Sequence, residues 1–132
     1  MASRIFQQFV NTLEKQTVRL TAVVTATATQ TGGSPQTLTR AKGIASVTAA
    51  ATGLWTINLQ DPYAALLGFD IICNKASAPA APSAYLQAVT NFGTASNPSV
   101  TVQLTNAAGT ATAPANNDVY YIELVLSNST AV

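Results

Sequence analysis

The side chains able to do chemistry are few. The carboxylates are Glu14, Asp61, Asp70, Asp118 and Glu123, the one thiol is Cys73, and there is no histidine. Without an imidazole there is no Ser-His-Asp or Cys-His relay and no histidine-ligated metal. A single cysteine forms neither an internal disulfide nor a thiolate zinc site. Acid–base catalysis on one bond needs two carboxyls within several ångströms of it. Asp118 and Glu123 stand five residues apart, so on a strand they point to opposite faces. Asp61, directly before Pro62, reads as a helix N-cap, and Asp70 as the solvent-side neighbour of Phe69 and Ile71. Cys73 falls on an expected buried face, where a thiol behaves as a small hydrophobe, and no cation or base beside it is evident to activate it. Asn116-Asn117-Asp118 lacks the spaced oxygen ligands of a calcium loop, and Gly32-Gly33 and Gly43 do not make a phosphate loop. These residues predict no catalytic group, no cofactor and no metal.

Binding chemistry is the remaining possibility. Only 8% of the residues are charged, the net charge is +1, and Lys and Arg together number 6. Nucleic acid needs a clustered basic face to neutralise its phosphates, so it is not an expected partner. Arg40 and Lys42 fall on one face of a predicted strand. They are either solvated edge charges that discourage stray pairing or contacts to an acidic partner surface. Trp55, Tyr63, Tyr85, Tyr120 and Tyr121 could stack on sugar rings, but Trp55 alternates with Ile57 and Leu59 and reads as packing. Hydrophobic residues make up 48%, which argues against disorder. So little charge weakens ordinary solubility. Such a chain is either very compact or spends its life with much of its surface against neighbours.

The elements that must position these residues are strands. The chain has 132 residues, a single domain's worth. No run approaches the 18 or so apolar residues of a spanning helix, and Met1–Phe9 has no signal-peptide core. The expected place is inside the producing cell or a particle assembled there, with no membrane partner. Period-2 alternation dominates. Val18–Ala28 puts Leu20, Ala22, Val24, Ala26 and Ala28 on one face, with Val23 the apolar exception on the other. Strands follow at Leu38–Thr48, with a possible bulge at Gly43, at Leu54–Gln60, Phe69–Asn74, Ala84–Phe92 and Ser99–Thr105. The last, Asp118–Leu126, is the most hydrophobic and is expected to be central. Asp61–Leu67 predicts a short helix stopped by Gly68. Turn signals between the strands favour an all-β, single-domain antiparallel β-sandwich or jelly-roll of about seven to eight strands with one short helix near 61–67.

Residues 1–15 stand apart as an arm or short helix, with 16–132 as the domain. Ile5, Phe6, Phe9, Val10 and Leu13 recur at helical spacing after a possible cap at Ser3. One reading closes this chain's own core with that segment. The other docks it on a different subunit, which would need preordering or many copies engaged together, because ordering a free arm costs more than its few apolar side chains return. The interface candidates are Arg4, Ile5, Phe6 and Phe9, with Arg40 and Lys42 second.

Arg40–Val47, then Gly53–Leu67 (GLWTINLQDPYAALL), then Ile122–Ser129 together resemble the capsid cement, or decoration, proteins of tailed double-stranded-DNA bacteriophages. The similarity covers roughly residues 36–70 and 118–130. It implies a β-sandwich or jelly-roll that forms homodimers or homotrimers on the outside of an icosahedral shell, bridges neighbouring major capsid proteins and stabilises the shell. It implies a structural virion protein made in the host cytoplasm, not an enzyme, and carries no active-site motif. Two alternatives share the fold class: a carbohydrate-binding β-sandwich on the virion surface, and a tail or head–tail component.

Overall fold

A computed structural model describes residues 17–75 and 79–128. Among them are nine strands and no helix: β1 (Thr17–Thr25), β2 (Ser34–Pro35), β3 (Thr37–Thr39), β4 (Ile44–Ala51), β5 (Leu54–Leu59), β6 (Ala65–Asn74), β7 (Ser83–Thr90), β8 (Ser99–Thr105) and β9 (Val119–Ser127). They form two sheets, ordered β3-β1-β9-β6 and β2-β4-β5-β8-β7, in which every pairing is antiparallel.

The alternation read from the sequence decides which faces are dry. Leu20, Ala22, Val24 and Ala26 are buried, and Val23 points outward as the exception. Trp55, Ile57 and Leu59 of β5 meet Val100, Val102 and Leu104 of β8 in the core, with Tyr120, Ile122, Leu124 and Leu126 contributed by the other sheet. The expected centrality of the last strand is met, since β9 lies between β1 and β6. The two sheets touch through an edge-to-face contact between Trp55 and Tyr120, ring centroids 5.0 Å apart at 73°, a favoured geometry for aromatic pairs.

The helix expected near 61–67 does not form. Ala64 already donates its N–H to the Ser127 carbonyl at 2.9 Å, and Ala65 and Leu66 pair with Ser127 and Leu126 of β9. Pairing along a whole neighbouring strand outweighs the local signal of one Asp-Pro cap, as tertiary context generally outweighs propensity. A register shift between Leu66 and Gly68 leaves Leu67 as a bulged, exposed residue. That extra residue breaks the alternation and gives Ala64–Leu67 its helix-like look.

The strand expected over 38–48 is two strands in different sheets. β3 ends at Thr39 and pairs with β1, whereas β4 begins at Ile44 and pairs with β5. Positive φ at Arg40 (49°) and Gly43 (73°) turns the chain between them. A buried amide network holds the preceding corner. Gln36 Oε1 accepts from the Thr27 N–H (2.9 Å) and Gln30 Nε2 (2.6 Å), and Gln30 Oε1 accepts from Trp55 Nε1 (2.9 Å). Each buried side-chain polar atom among the described residues has a partner, as buried polar groups must.

At the entry to β9, the buried Asp118 carboxylate accepts from Lys75 Nζ at 2.7 Å and from the Ala115 N–H at 3.0 Å. Asp118 thereby ties the loop that enters β9 to the residue just beyond the end of β6.

Candidate functional site

The outer face of the β3-β1-β9-β6 sheet brings two carboxylates, Asp70 and Glu123, together with the Arg19 guanidinium. Two rows cross it. Thr21, Glu123 and Asp70 stand side by side on β1, β9 and β6, and Val23, Tyr121 and Ile72 form the next row. Tyr121 is 45% exposed and Ile72 57%. With Arg40 they line a shallow groove of about 330 Å³. Arg19 donates to Glu123 at 2.8 Å. Like charges directly opposite on adjacent strands repel, and this guanidinium offsets the repulsion between Glu123 and Asp70. The groove thus joins an apolar floor, one exposed phenol ring, two carboxylates and one guanidinium. It can hold a group that has an apolar face and hydrogen-bonding edges.

The carboxylate pair Asp70–Glu123 was not among the pairs the sequence suggested. Its two members lie far apart in the chain, and only the β6–β9 register brings them together. A strand's pattern is local, but its partner strand and register are set by the assembled sheet. Arg40 and Lys42 do not share a strand face. Both are exposed in the loop between β3 and β4, where the Lys42 N–H donates to the Thr21 carbonyl at 3.2 Å. Arg40 reaches the groove, and Lys42 is not among the groove's lining residues. Arg4, Ile5, Phe6 and Phe9, the other interface candidates, lie outside the described residues, as does the whole arm of residues 1–15. Trp55 is fully buried, so it is no platform for sugar.

The second sheet has a different character. β2, β4, β5, β7 and β8 contain no Asp, Glu, Lys or Arg, and none occurs anywhere in residues 76–117. Its outer face is ruled by hydroxyl and amide rows: Thr48, Thr56 and Thr101 across three strands, and Ser46, Asn58 and Ser99 beside them. The edge strand β7 adds the exposed side chains of Tyr85, Leu86 and Val89.

A third cluster joins Cys73, Tyr120, Asp118 and Lys75 at one end of β6 and β9. The Tyr120 hydroxyl donates to the Ala81 carbonyl at 2.9 Å. Burial pushes the Cys73 thiol above its ordinary range, and hydrogen bonding with Tyr120 pulls the other way. Burial also drives the phenol of Tyr120 far above its usual range, and burial and the nearby Asp61 carboxylate raise that of Tyr63. Raised acids are neutral in the folded state at pH values where the unfolded chain has ionised. Their contributions are complete below the ordinary values, 9.0 for the thiol and 10.0 for the phenols, and are lost as pH climbs from there through the folded values. We expect the urea midpoint to fall between about pH 9 and pH 11, and to fall less in Tyr120→Phe. A flat profile would show that neither phenol is linked to folding.

No family model, no curated protein and no solved structure matches this chain. Function must therefore be argued from the surfaces themselves.

Proposed function

We propose that this chain is a structural interaction protein: a homo-oligomeric cement, or decoration, protein on the outside of an icosahedral phage capsid. In this reading it bridges neighbouring major capsid proteins and needs no cofactor, nucleic acid or lipid. Two facing sheets with a shared core support a β-sandwich, the architecture to which jelly-rolls belong. One observation carries the proposal. A whole sheet bears no charged residue, and its edge strand holds exposed Tyr85, Leu86 and Val89. Interfaces are depleted in charge at their centres and enriched in aromatic anchors, and exposed apolar patches rimmed by polar groups mark contact surfaces. The residues that resemble decoration proteins fall on β4, β5, the start of β6 and β9, so the likeness runs through both sheets.

The test is the copy number of this chain relative to the major capsid protein in purified particles, by quantitative mass spectrometry. A ratio from about one third to one is expected for a shell-wide protein on a symmetric lattice. A handful of copies would point to a tail or head–tail ring, and none would remove the chain from the particle; either overturns the cement reading.

The groove on the first sheet favours a second reading, recognition of a glycan at the virion surface. Tyr121 offers a ring for stacking, and Asp70, Glu123 and Arg40 offer hydrogen bonds to sugar hydroxyls. Direct binding of the free protein to a glycan array, lost in Tyr121→Ala, supports this reading; no binding disposes of it.

A further inference from the structure

Four strands end the two sheets: β3 and β6 in the first, β2 and β7 in the second. An open edge presents unpaired N–H and C=O groups and invites another strand, so proteins blunt their edges with short strands, proline, charge or bulges. Three of these edges are blunted. β2 is two residues long and contains Pro35. β3 is three residues long and runs into Arg40 and Lys42. β6 carries Asp70, the Leu67 bulge and Lys75 just beyond its end. β7 differs. It has eight residues, SAYLQAVT, with no charge and no proline, and one register shift between Leu86 and Ala88. At about 3.4 Å per residue it offers a ledge roughly 27 Å long.

The side chains along this ledge are unfinished packing. Leu86 lies opposite Val102 and Val89 opposite Val100, so both share the core-facing side of the sheet. Val100 and Val102 are fully buried, yet Leu86 is 42% and Val89 49% exposed. Among the described residues the core is therefore open along the β7 lip. Tyr85, opposite Gln103 on the outer face, is exposed as well.

We propose that the occupant of this edge is a second copy of the same chain, whose β7 pairs antiparallel with this one about a two-fold axis. Such an axis sets each residue near it against its own copy, so any charge there meets an identical charge. The absence of Asp, Glu, Lys and Arg throughout residues 76–117 removes that repulsion over β7, β8 and their loops. Pairing joins the two five-stranded sheets into one, satisfies the edge backbone groups and brings Leu86 and Val89 of both copies together over the open lip. This deepens the self-association in the proposed function, and its test needs no particle, so each can fail alone.

The test is sedimentation velocity on the full chain from about 1 to 100 µM, the range in which a modest interface dissociates, with Leu86→Lys and Val89→Lys beside it. Both positions are exposed, and a circular-dichroism melt checks that the variants stay folded. The wild type is expected to dimerise, each lysine to weaken the dimer at least about 100-fold, and β7 amide exchange to slow as wild-type concentration rises. A wild type that stays monomeric, or sediments as a trimer, overturns the proposal. So does a dimer undiminished in both variants. Slow β7 exchange in a wild type that stays monomeric would mean that the edge is already covered within one chain, and that also overturns it. A monomer found at high copy number on particles would sink this inference and leave the cement reading standing.

Discussion

Trp55→Ala is expected to lower stability by about 3–5 kcal/mol and the melting temperature by roughly 10–20 °C. Two separable losses make up that figure. One is volume: the indole is fully buried between the sheets and meets Tyr120 edge to face. The other is a donor, since Trp55 Nε1 supplies a hydrogen bond to Gln30 Oε1 at 2.9 Å. Trp55→Phe keeps most of the packing and removes the donor. It leaves a buried carbonyl oxygen short of its partner, a loss of about 1–3 kcal/mol. Gln30→Leu in the same background removes that orphaned oxygen, and Gln36 Oε1 still accepts from the Thr27 N–H. The double variant is therefore expected to be more stable than the sum of the singles predicts, by more than about 0.5 kcal/mol. Urea unfolding must be followed by circular dichroism, because Trp55 is the one tryptophan. Strict additivity would show that the Trp55–Gln30 bond does not couple the core to the corner.

Much of this fold was legible because its signal is local. The period of two placed Leu20, Ala22, Val24, Trp55, Ile57, Val100, Val102 and Leu104 inward without any knowledge of their neighbours. Errors arose where a distant strand decided. Asp61-Pro62 signals a helix on its own, but Ser127 and Leu126 claim the residues that follow. Residues 38–48 alternate as one strand, and only two successive positive-φ sites, Arg40 and Gly43, show that they serve both sheets. The Asp70–Glu123 pair and the groove around it are products of register, which a single sequence does not display. The open β7 edge was also hidden. Ala84–Phe92 read as one strand among several, and nothing local tells an outer strand from an inner one. What the sequence did carry was the missing charge. The long uncharged run from 76 to 117 is visible by inspection, and its meaning emerged once the strands it contains were seen at the rim.

That rim depends on a turn, and Gly53→Ala is the sharpest way to disturb it, with an expected loss of about 2–4 kcal/mol. Gly53 has φ +67°, and a Cβ there would lie 2.4 Å from the Thr112 carbonyl oxygen and 2.8 Å from that of Leu104. The left-handed conformation alone costs an alanine roughly 1–2 kcal/mol. The close approach adds the rest, because backbone carbonyls cannot swing aside as a flexible side chain can. The Leu104 carbonyl and the turn beside it are already fixed. The Leu104 N–H donates to the Gly53 carbonyl at 2.7 Å, and the Thr112 N–H to the Leu104 carbonyl at 3.1 Å. Gly33→Ala separates the two contributions, since Gly33 has a similar φ of +78° with nothing near its missing Cβ, and it should lose only about 1–2 kcal/mol. Equal urea midpoints for the two variants would show that conformation alone selects glycine at 53. Unequal midpoints bear on the surface as well. Gly53 is hydrogen-bonded to β8, and β8 is the strand on which β7 is hung. A shift forced at this turn must pass into the register of β8, so faster amide exchange in β7 and β8 of Gly53→Ala is the expected signature.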